Sequence, residues 1–492
     1  MDQALIENIV SEVLSKLGQG SGARPPAASA SPPSAAPSSL PANGRPSRRA
    51  YGVFATAAEA CEAAHQGFLQ LREKGLEGRA KVCEIVKKMA VAQAEEWGRI
   101  EFEETRIGRL DHKIEKLKII PLVPGVEFLR PFGMSGDHGI TMEEYTPFGV
   151  VGAITPSTHS VPTLSGNIIN IVAAGNAVVF NAHPSGARCA ALAVKAYNEA
   201  IHRELGIENL VTIIEKPTLD SFNELCRHPL TRLLCVTGGP GVVKAAMQTG
   251  KRAICAGPGN PPVVVDVSAN LDKAAADVIA GGGFDNNLLC IGEKQVFVLD
   301  AVADPFMAAL ERAGAYRLKS HHIEKLAEAA FVFPEGKGAG CAGPTVNRDL
   351  VGRDPAELAR HAGATVPANT PLLFGETTHD HLFVEEEQMM PFIPVVRVKT
   401  FAEAAQRAYE SEHNYKHTAI IHTRNIDQMT HLARLMDTTL FVKNGASTTG
   451  LGLGGEGYLS FSIATPTGEG VTNPKTFTRT RRCVMVENLR IY

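Results

Sequence analysis

Apolar side chains at Leu5, Ile6, Ile9, Val10, Val13, Leu14 and Leu17 recur in steps of three and four. That spacing predicts a helix over residues 1–18 with one sticky stripe. Asp2, Gln3, Glu7, Asn8, Ser11, Glu12, Ser15 and Lys16 line the opposite face, and Gly18 supplies a stop. Residues 19–49 then lose all periodicity and run as Pro/Ala/Ser text, a composition that buries no core. A short amphipathic helix on a long tether reads as a docking peptide for another protein's groove. A terminal helix folded back on its own domain is the other reading, and the length of the linker argues against it.

From residue 50 the pattern changes. Residues 54–106 carry Ala-rich, charge-laced helical periodicity. Strand-like runs follow at Gly149–Thr155, Ala177–Asn181, Leu210–Ile214, Leu233–Thr237 and Pro262–Asp266, with helical stretches between them. This alternation predicts right-handed βαβ units and a mostly parallel sheet. A second α/β set is expected from about Leu271, with strands at Gln295–Leu299, Pro394–Val398, Thr418–His422 and Leu440–Lys443. The tail from Thr476 to Tyr492 reads as an extended strand carrying Arg479, Arg481 and Arg482.

Composition narrows the class. A chain of 492 residues is long enough for two or three domains. Hydrophobic content of 44%, charged content of 21% and a net charge of −3 exclude a general pull toward nucleic acid or anionic lipid. No run approaches the ~20 apolar residues of a membrane span. The acidic start, without a continuous apolar region, does not fit a secretory signal. Nine scattered cysteines with no C-x-x-C pair predict a reducing compartment, without a disulfide frame or structural zinc.

One cysteine stands apart. Gly281-Gly-Gly-Phe-Asp285-Asn286-Asn287-Leu-Leu-Cys290-Ile-Gly292-Glu-Lys294 places Cys290 between a Gly/Asn loop and a new strand. Candidate ligand loops lie at the carboxyl ends of the first sheet's strands, where open α/β sheets bind ligands. They are Thr155-Pro156-Ser157-Thr158-His159, Asn181-Ala182-His183-Pro184-Ser185 and Thr237-Gly238-Gly239-Pro240-Gly241. The last opens a helix, whose free N–H groups and positive dipole end suit a pyrophosphate. No G-x-G-x-x-G follows the first strand, so an ordinary Rossmann fingerprint is absent.

These segments resemble the aldehyde dehydrogenase superfamily over roughly residues 50–492. The resemblance is closest to its CoA-acylating branch, which handles propanal or acetaldehyde in propanediol and ethanolamine breakdown. Phe284-Asp-Asn-Asn-Leu-x-Cys290, Ala173-Ala-Gly-Asn176, Leu451-Gly-x-Gly-Gly-Glu-Gly457 and Ile463-Ala-Thr-Pro-Thr-Gly-Glu-Gly470 carry it. Glu385-Glu-Glu387-Gln-Met-Met-Pro391 resembles the Glu-x-x-x-Pro element whose carboxylate holds the nicotinamide ribose, which implies that role for Glu387. Standing alone, three acidic residues read as a solvated face; Pro391 and the 97 positions from Cys290 to Glu387 favour the functional reading. The resemblance also implies that Thr155, Pro156, Ser157, His183, Pro184, Thr237, Gly238 and Gly239 bind NAD. Residues 1–18 resemble encapsulation peptides, which implies a shell-protein partner inside a bacterial microcompartment in the cytoplasm.

Two departures shape the expected chemistry. Hydrolytic members carry a water-activating glutamate in a Glu-Leu-Gly-Gly-Lys-type motif, whereas the matching stretch here, Cys255–Pro262, has no carboxylate. A thioacyl enzyme without that base should wait for coenzyme A. The family's oxyanion-stabilising Asn after Pro-Ser-Thr is replaced by His159, which also donates a hydrogen bond. The implied reaction is attack of Cys290 on a short aldehyde, hydride loss to NAD, and transfer of the acyl group to CoA. His381 in His379-Asp380-His381 is either the base for CoA or a solvated loop histidine; as a metal site the pair lacks a third ligand. A hydrolytic or phosphate-accepting dehydrogenase and an inert shell adaptor are the alternatives.

The expected fold is α/β, with two parallel-sheet domains and a small oligomerisation element behind a tethered amphipathic helix. We expect the helix at 1–18, the linker at 19–49, a dinucleotide-binding domain at 50–258, a catalytic domain at 259–466 and an oligomerisation tail at 467–492. Residues 134–147 form the matching hairpin, and a homodimer or homotetramer is implied.

Overall fold

A computed structural model describes residues 51–333 and 344–487. The expected helix at 1–18 and the linker at 19–49 lie outside the described residues, as does the end of the tail after residue 487.

Two parallel sheets carry the fold. The first has six strands, ordered Val53–Phe54, Val211–Ile214, Ala177–Ala182, Val150–Thr155, Thr231–Thr237 and Ala253–Ala256. Every pairing in it is parallel. Its two central strands, Val150–Thr155 and Ala177–Ala182, are buried along their whole length. That burial accounts for their near-continuous apolar text, because helices cover both faces of such a sheet. The helix Ser160–Ala173 is likewise buried at every position.

The second sheet has seven strands, ordered Tyr316–Arg317, Leu373–Thr377, Phe392–Val398, Gln295–Leu299, Pro262–Val265, Thr418–His422 and Leu440–Lys443. Its pairings are also all parallel. Here the sequence grouping needs correction. Pro262–Val265 does not extend the first sheet but lies between Gln295–Leu299 and Thr418–His422 in the second. The turn Gly257–Pro261 carries the chain across, and an apolar run is equally compatible with either sheet. Ala253–Ala256, read only as part of a motif, is the edge strand of the first sheet. Leu373–Thr377 escaped the pattern because its period-two signal is short.

The helical stretch expected over 54–106 is broken twice. Thr56 caps the first, Ala57–Ala92, in a capping box with Glu59, and Gly75 breaks its geometry at φ 63°. At Gln93 the backbone leaves helical values, and Ala94–Thr105 begins. The change lets Trp97 meet Tyr197 edge-on, with centroids 5.2 Å apart.

The hairpin Phe132–Gly136 and Gly139–Pro147 pairs antiparallel with Thr478–Met485. The tail is thus a strand from Thr478, preceded by a short turn at Pro474–Phe477. Phe132, Met134, Val484 and Val486 leave large apolar side chains exposed on this ribbon.

Candidate active site

The nucleophile loop is shaped by three consecutive residues in the left-handed region. Asp285, Asn286 and Asn287 have φ values of 49°, 55° and 63°. Asn and Asp tolerate this region better than other residues with a Cβ, because their short polar side chains bond locally. Here all three side chains are buried and partnered. Asn286 Nδ2 donates to Gly352 O at 3.0 Å and to Asp354 Oδ1 at 2.9 Å. Asn287 Nδ2 donates to Glu293 O at 2.9 Å. Lys294, fully buried, donates to Asn287 O at 2.8 Å and to Leu289 O at 3.1 Å, tying the loop on both sides of its bend.

Cys290 follows this bend and keeps partial access to solvent, unlike the six described cysteines that are buried. Burial and the nearby Glu387 carboxylate push its thiol up to about 12. The Lys294 ammonium and the backbone N–H groups of Cys290 and Ile291 oppose that shift, so favourable charges already face the sulfur. Burial likewise raises Glu387 to about 7, against Lys294 and the Gly259 N–H. Glu387 is therefore within the ordinary working range of a proton-exchanging group.

Gly259 is where the two halves of the site meet. A Cβ there would lie 2.7 Å from Cys290 O and 2.9 Å from the His417 ring, so only glycine fits. His417 is fully buried, and its Nδ1 lies 2.9 Å from Thr418 Oγ1. Its Nε2 has no partner among the described residues. Burial, helped by Lys294, lowers its pKa to about 4, so the ring is neutral.

The three predicted loops lie at the carboxyl ends of three neighbouring strands of the first sheet. Thr155 ends its strand, and its carbonyl accepts the His183 N–H at 2.9 Å, joining the first loop to the second. Pro156 and Ser157 follow, half-buried. His183 and Pro184 are exposed just past Ala177–Ala182, and His183 Nδ1 accepts the Ser185 N–H at 3.2 Å. Thr237 ends the next strand, its Oγ1 2.8 Å from Ser462 Oγ. The Gly238 N–H bonds Ala256 O at 3.2 Å, and Gly239 opens the helix Pro240–Met247 with no side-chain cap. A Cβ at Gly239 or Gly241 would meet nothing within 4 Å. A cavity of about 410 Å³ adjoins, lined by Pro240, Val243, Met247, Pro258, Tyr415 and Pro466.

His159 sits at the N-cap of Ser160–Ala173, buried, with its ring 5.5 Å from that of Phe461. Phe461 also belongs to the large core cluster against which Cys290 packs. Burial, reinforced by Lys116 and Lys113, holds the His159 imidazole well below its usual range, and it is neutral at pH 7. Its Nδ1 has no partner among the described residues.

His381 is not part of this arrangement. Its Nδ1 accepts the Phe383 N–H at 3.2 Å, capping the short helix Leu382–Glu385, and its Nε2 lies 3.8 Å from Glu324. That local cap fits the loop-histidine alternative better than a base for CoA. Lys294, Gly259 and His417 were missed as site residues. Only Lys294, within the nucleophile segment, left a local signal.

A partly accessible cysteine whose thiolate is favoured by N–H groups and a lysine, in a fold whose first sheet ends in an uncapped helix opening, suits a cysteine nucleophile that works with a nucleotide. The chain belongs to the aldehyde dehydrogenase family, whose model matches residues 39–323. It is 42% identical over 442 residues to the acetaldehyde dehydrogenase (acetylating) EutE of Salmonella typhimurium, covering 89% of this chain and 93% of that one. The structure of Rhodopseudomonas palustris propionaldehyde dehydrogenase with bound CoA and an acylated cysteine matches with TM-score 0.85 and 42% identity. That match covers 90% of this chain and all of the other. A propionaldehyde dehydrogenase from the Clostridium phytofermentans fucose utilisation bacterial microcompartment matches with TM-score 0.86 and 41% identity, over 90% of this chain and all of that one.

Proposed function

We propose that the protein is a CoA-acylating aldehyde dehydrogenase that oxidises a short aldehyde, propanal first and acetaldehyde second, through a thioester on Cys290. The observation that carries this reading is Cys290 itself: a partly accessible thiol after a left-handed Asp-Asn-Asn turn, with the Lys294 charge and two backbone N–H groups favouring its thiolate.

The Cys290 thiolate attacks the aldehyde carbon, and the carbonyl oxygen becomes an alkoxide. The Cys290 N–H and the neutral His159 imidazole are the donors for that oxygen. NAD, when bound, supplies the acceptor for the hydride that leaves the same carbon. The acyl group then rests on Cys290 until the CoA thiol attacks it and the cysteine leaves as thiolate. As proton acceptor for CoA, geometry favours His417 over His381, because its neutral Nε2 is unpartnered among the described residues and its ring packs beside Gly259. The position corresponding to the hydrolytic base is Ala256, a buried strand residue without a proton to exchange.

The residues present fit the dinucleotide. Gly238, Gly239 and the uncapped helix opening suit a pyrophosphate, and the apolar cavity beside Val243 and Met247 suits an adenine. Thr155 keeps a buried, unpartnered Oγ1 at the same end of the sheet, and Pro156, Ser157, His183 and Pro184 complete it. Glu387, beside Gly259, would hold the nicotinamide ribose. CoA enters by the same crevice. We read residues 50–258 as the dinucleotide-binding domain, 259–466 as the catalytic domain, and 134–147 with 467–492 as the oligomerisation element. The exposed Phe132, Met134, Val484 and Val486 support a homodimer or homotetramer built on that ribbon.

The test is product analysis. With propanal and NAD, NADH formation should depend on CoA, fall at least about 100-fold without it, and yield propanoyl-CoA. Equal turnover without CoA, or acyl phosphate formed from inorganic phosphate, would replace this reading with a hydrolytic or phosphate-accepting one.

We place the enzyme inside a bacterial microcompartment, tethered to a shell protein by residues 1–18; the amphipathic stripe and the Clostridium relative's compartment support this. Among the described residues no helix is long and apolar enough to cross a membrane. Deleting residues 1–18 should leave specific activity within about twofold and abolish co-sedimentation with shells. An inactive truncated enzyme, or one still recruited, would refute that assignment.

A further inference from the structure

The helix Leu110–Lys118 contributes nothing to the reacting atoms, yet it buries two lysines completely. Both ammonium groups donate to one atom, the Thr158 carbonyl oxygen, Lys113 at 3.2 Å and Lys116 at 3.1 Å. Thr158 is the residue before His159. Each lysine also has its own carboxylate: Glu101 for Lys113 at 3.2 Å, and Asp285 for Lys116 at 2.5 Å. The second oxygen of Glu101 accepts the Val161 N–H at 2.9 Å. Glu101 thereby caps the helix Ser160–Ala173 from outside, and His159, its N-cap residue, makes no capping bond. The imidazole is left free of capping bonds.

Asp285 ties in the other side. Its second oxygen accepts the Arg109 N–H at 2.8 Å, and its own N–H donates to His112 Nδ1 at 2.7 Å. A Cβ on Gly108 would lie 2.2 Å from Asp285 Oδ1, so the lead-in to the helix is moulded around this carboxylate. One short helix therefore grips both the carbonyl next to His159 and the first residue of the turn that presents Cys290.

We propose that Lys113 and Lys116 are positioning residues, which lock the His159 loop and the Asp285–Cys290 turn to one helix and so fix the spacing of oxyanion donor and nucleophile. The proposal rests on the reading of His159 as that donor. Two buried cations balanced by two carboxylates are a costly way to fill space, because apolar side chains of similar volume serve stability equally well or better. What apolar side chains lack is direction, and here both ammonium groups converge on a single carbonyl.

The test uses the full-length enzyme with propanal, NAD and CoA. Lys113→Met removes one grip. The balanced pair Lys116→Met with Asp285→Asn removes the other without leaving an unpaired buried charge, which keeps the experiment readable where a single change unfolds the protein. Each should lower kcat by about 10- to 100-fold, the scale of a displacement near 1 Å. KM for propanal should stay within about twofold, because the lost interaction is made in the transition state. In a His159→Ala background, Lys113→Met should cost no more than about a further twofold, since residues acting as one unit are not additive. Unchanged kcat in both variants, or an equal loss in the His159→Ala background, would overturn the proposal. Full activity of His159→Ala alone would instead remove the oxyanion reading. The grip on the nucleophile turn would then be read as a changed rate of Cys290 alkylation by iodoacetamide in the balanced pair, and an unchanged rate would overturn it as well.

Discussion

Cys290→Ala should abolish NADH formation from propanal, NAD and CoA, lowering turnover by at least about 10⁴-fold, as removal of a covalent nucleophile does elsewhere. The magnitude follows from the absence of a substitute among the described residues. Cys61, Cys83, Cys189, Cys226, Cys235 and Cys255 are buried, without the partial access that Cys290 keeps. Cys483 is exposed, but on the ribbon strand Thr478–Met485. The variant should fold as the parent does, because alanine keeps the backbone of the turn and Lys294 bonds carbonyls rather than the sulfur. Stopped-flow NADH absorbance with melting curves checks both parts. Residual turnover above about one part in a hundred would mean that a nucleophile other than Cys290 carries the reaction.

His159→Ala should lower kcat by about 10²- to 10³-fold, the usual loss for one oxyanion donor, with a much smaller change in KM. Its neutral state sets the pH dependence. Burial and the charges of Lys113 and Lys116 oppose protonation of His159, so its pKa lies well below the ordinary value. No activity should therefore be lost through this group as pH falls from 8 to 6.5. A neutral ring carries one N–H, and Nδ1 is unpartnered in the folded protein, so a donor is present across that range. His159→Asn is the informative companion: an amide can donate to the same oxygen and should recover much of the loss. A His159→Ala enzyme with parental kcat would leave the Cys290 N–H as the alkoxide's donor without side-chain help.

Much of the fold is legible in the chain. The strands at 150–155, 177–182, 231–237 and 295–299 announce themselves as apolar runs because parallel strands are buried on both faces. Cys290 is legible too, since the Asp-Asn-Asn sequence before it suits a left-handed turn that other residues adopt poorly. Glu387 needed the resemblance, because three consecutive acids have no local reason to be buried. His381 shows the converse: its His-x-His spacing allowed a chemical reading beside that of a loop histidine, and the ring caps a short helix.

By itself, then, the sequence determined what is local: the alternation of helices and strands, the turn that presents the thiol, the loss of the carboxylate at Ala256, and the glycine-rich helix opening at Gly238 and Gly239. Tertiary structure alone decided what converges. The placement of Pro262–Val265 in the second sheet brings Gly259, 31 positions before the cysteine, against Cys290 O and His417, which lies 127 positions after the cysteine. Lys113, Lys116, Glu101 and Asp285 meet across 184 positions of chain. Periodicity records which face of an element is buried; it holds no record of strand order, and strand order is what brings distant polar side chains together.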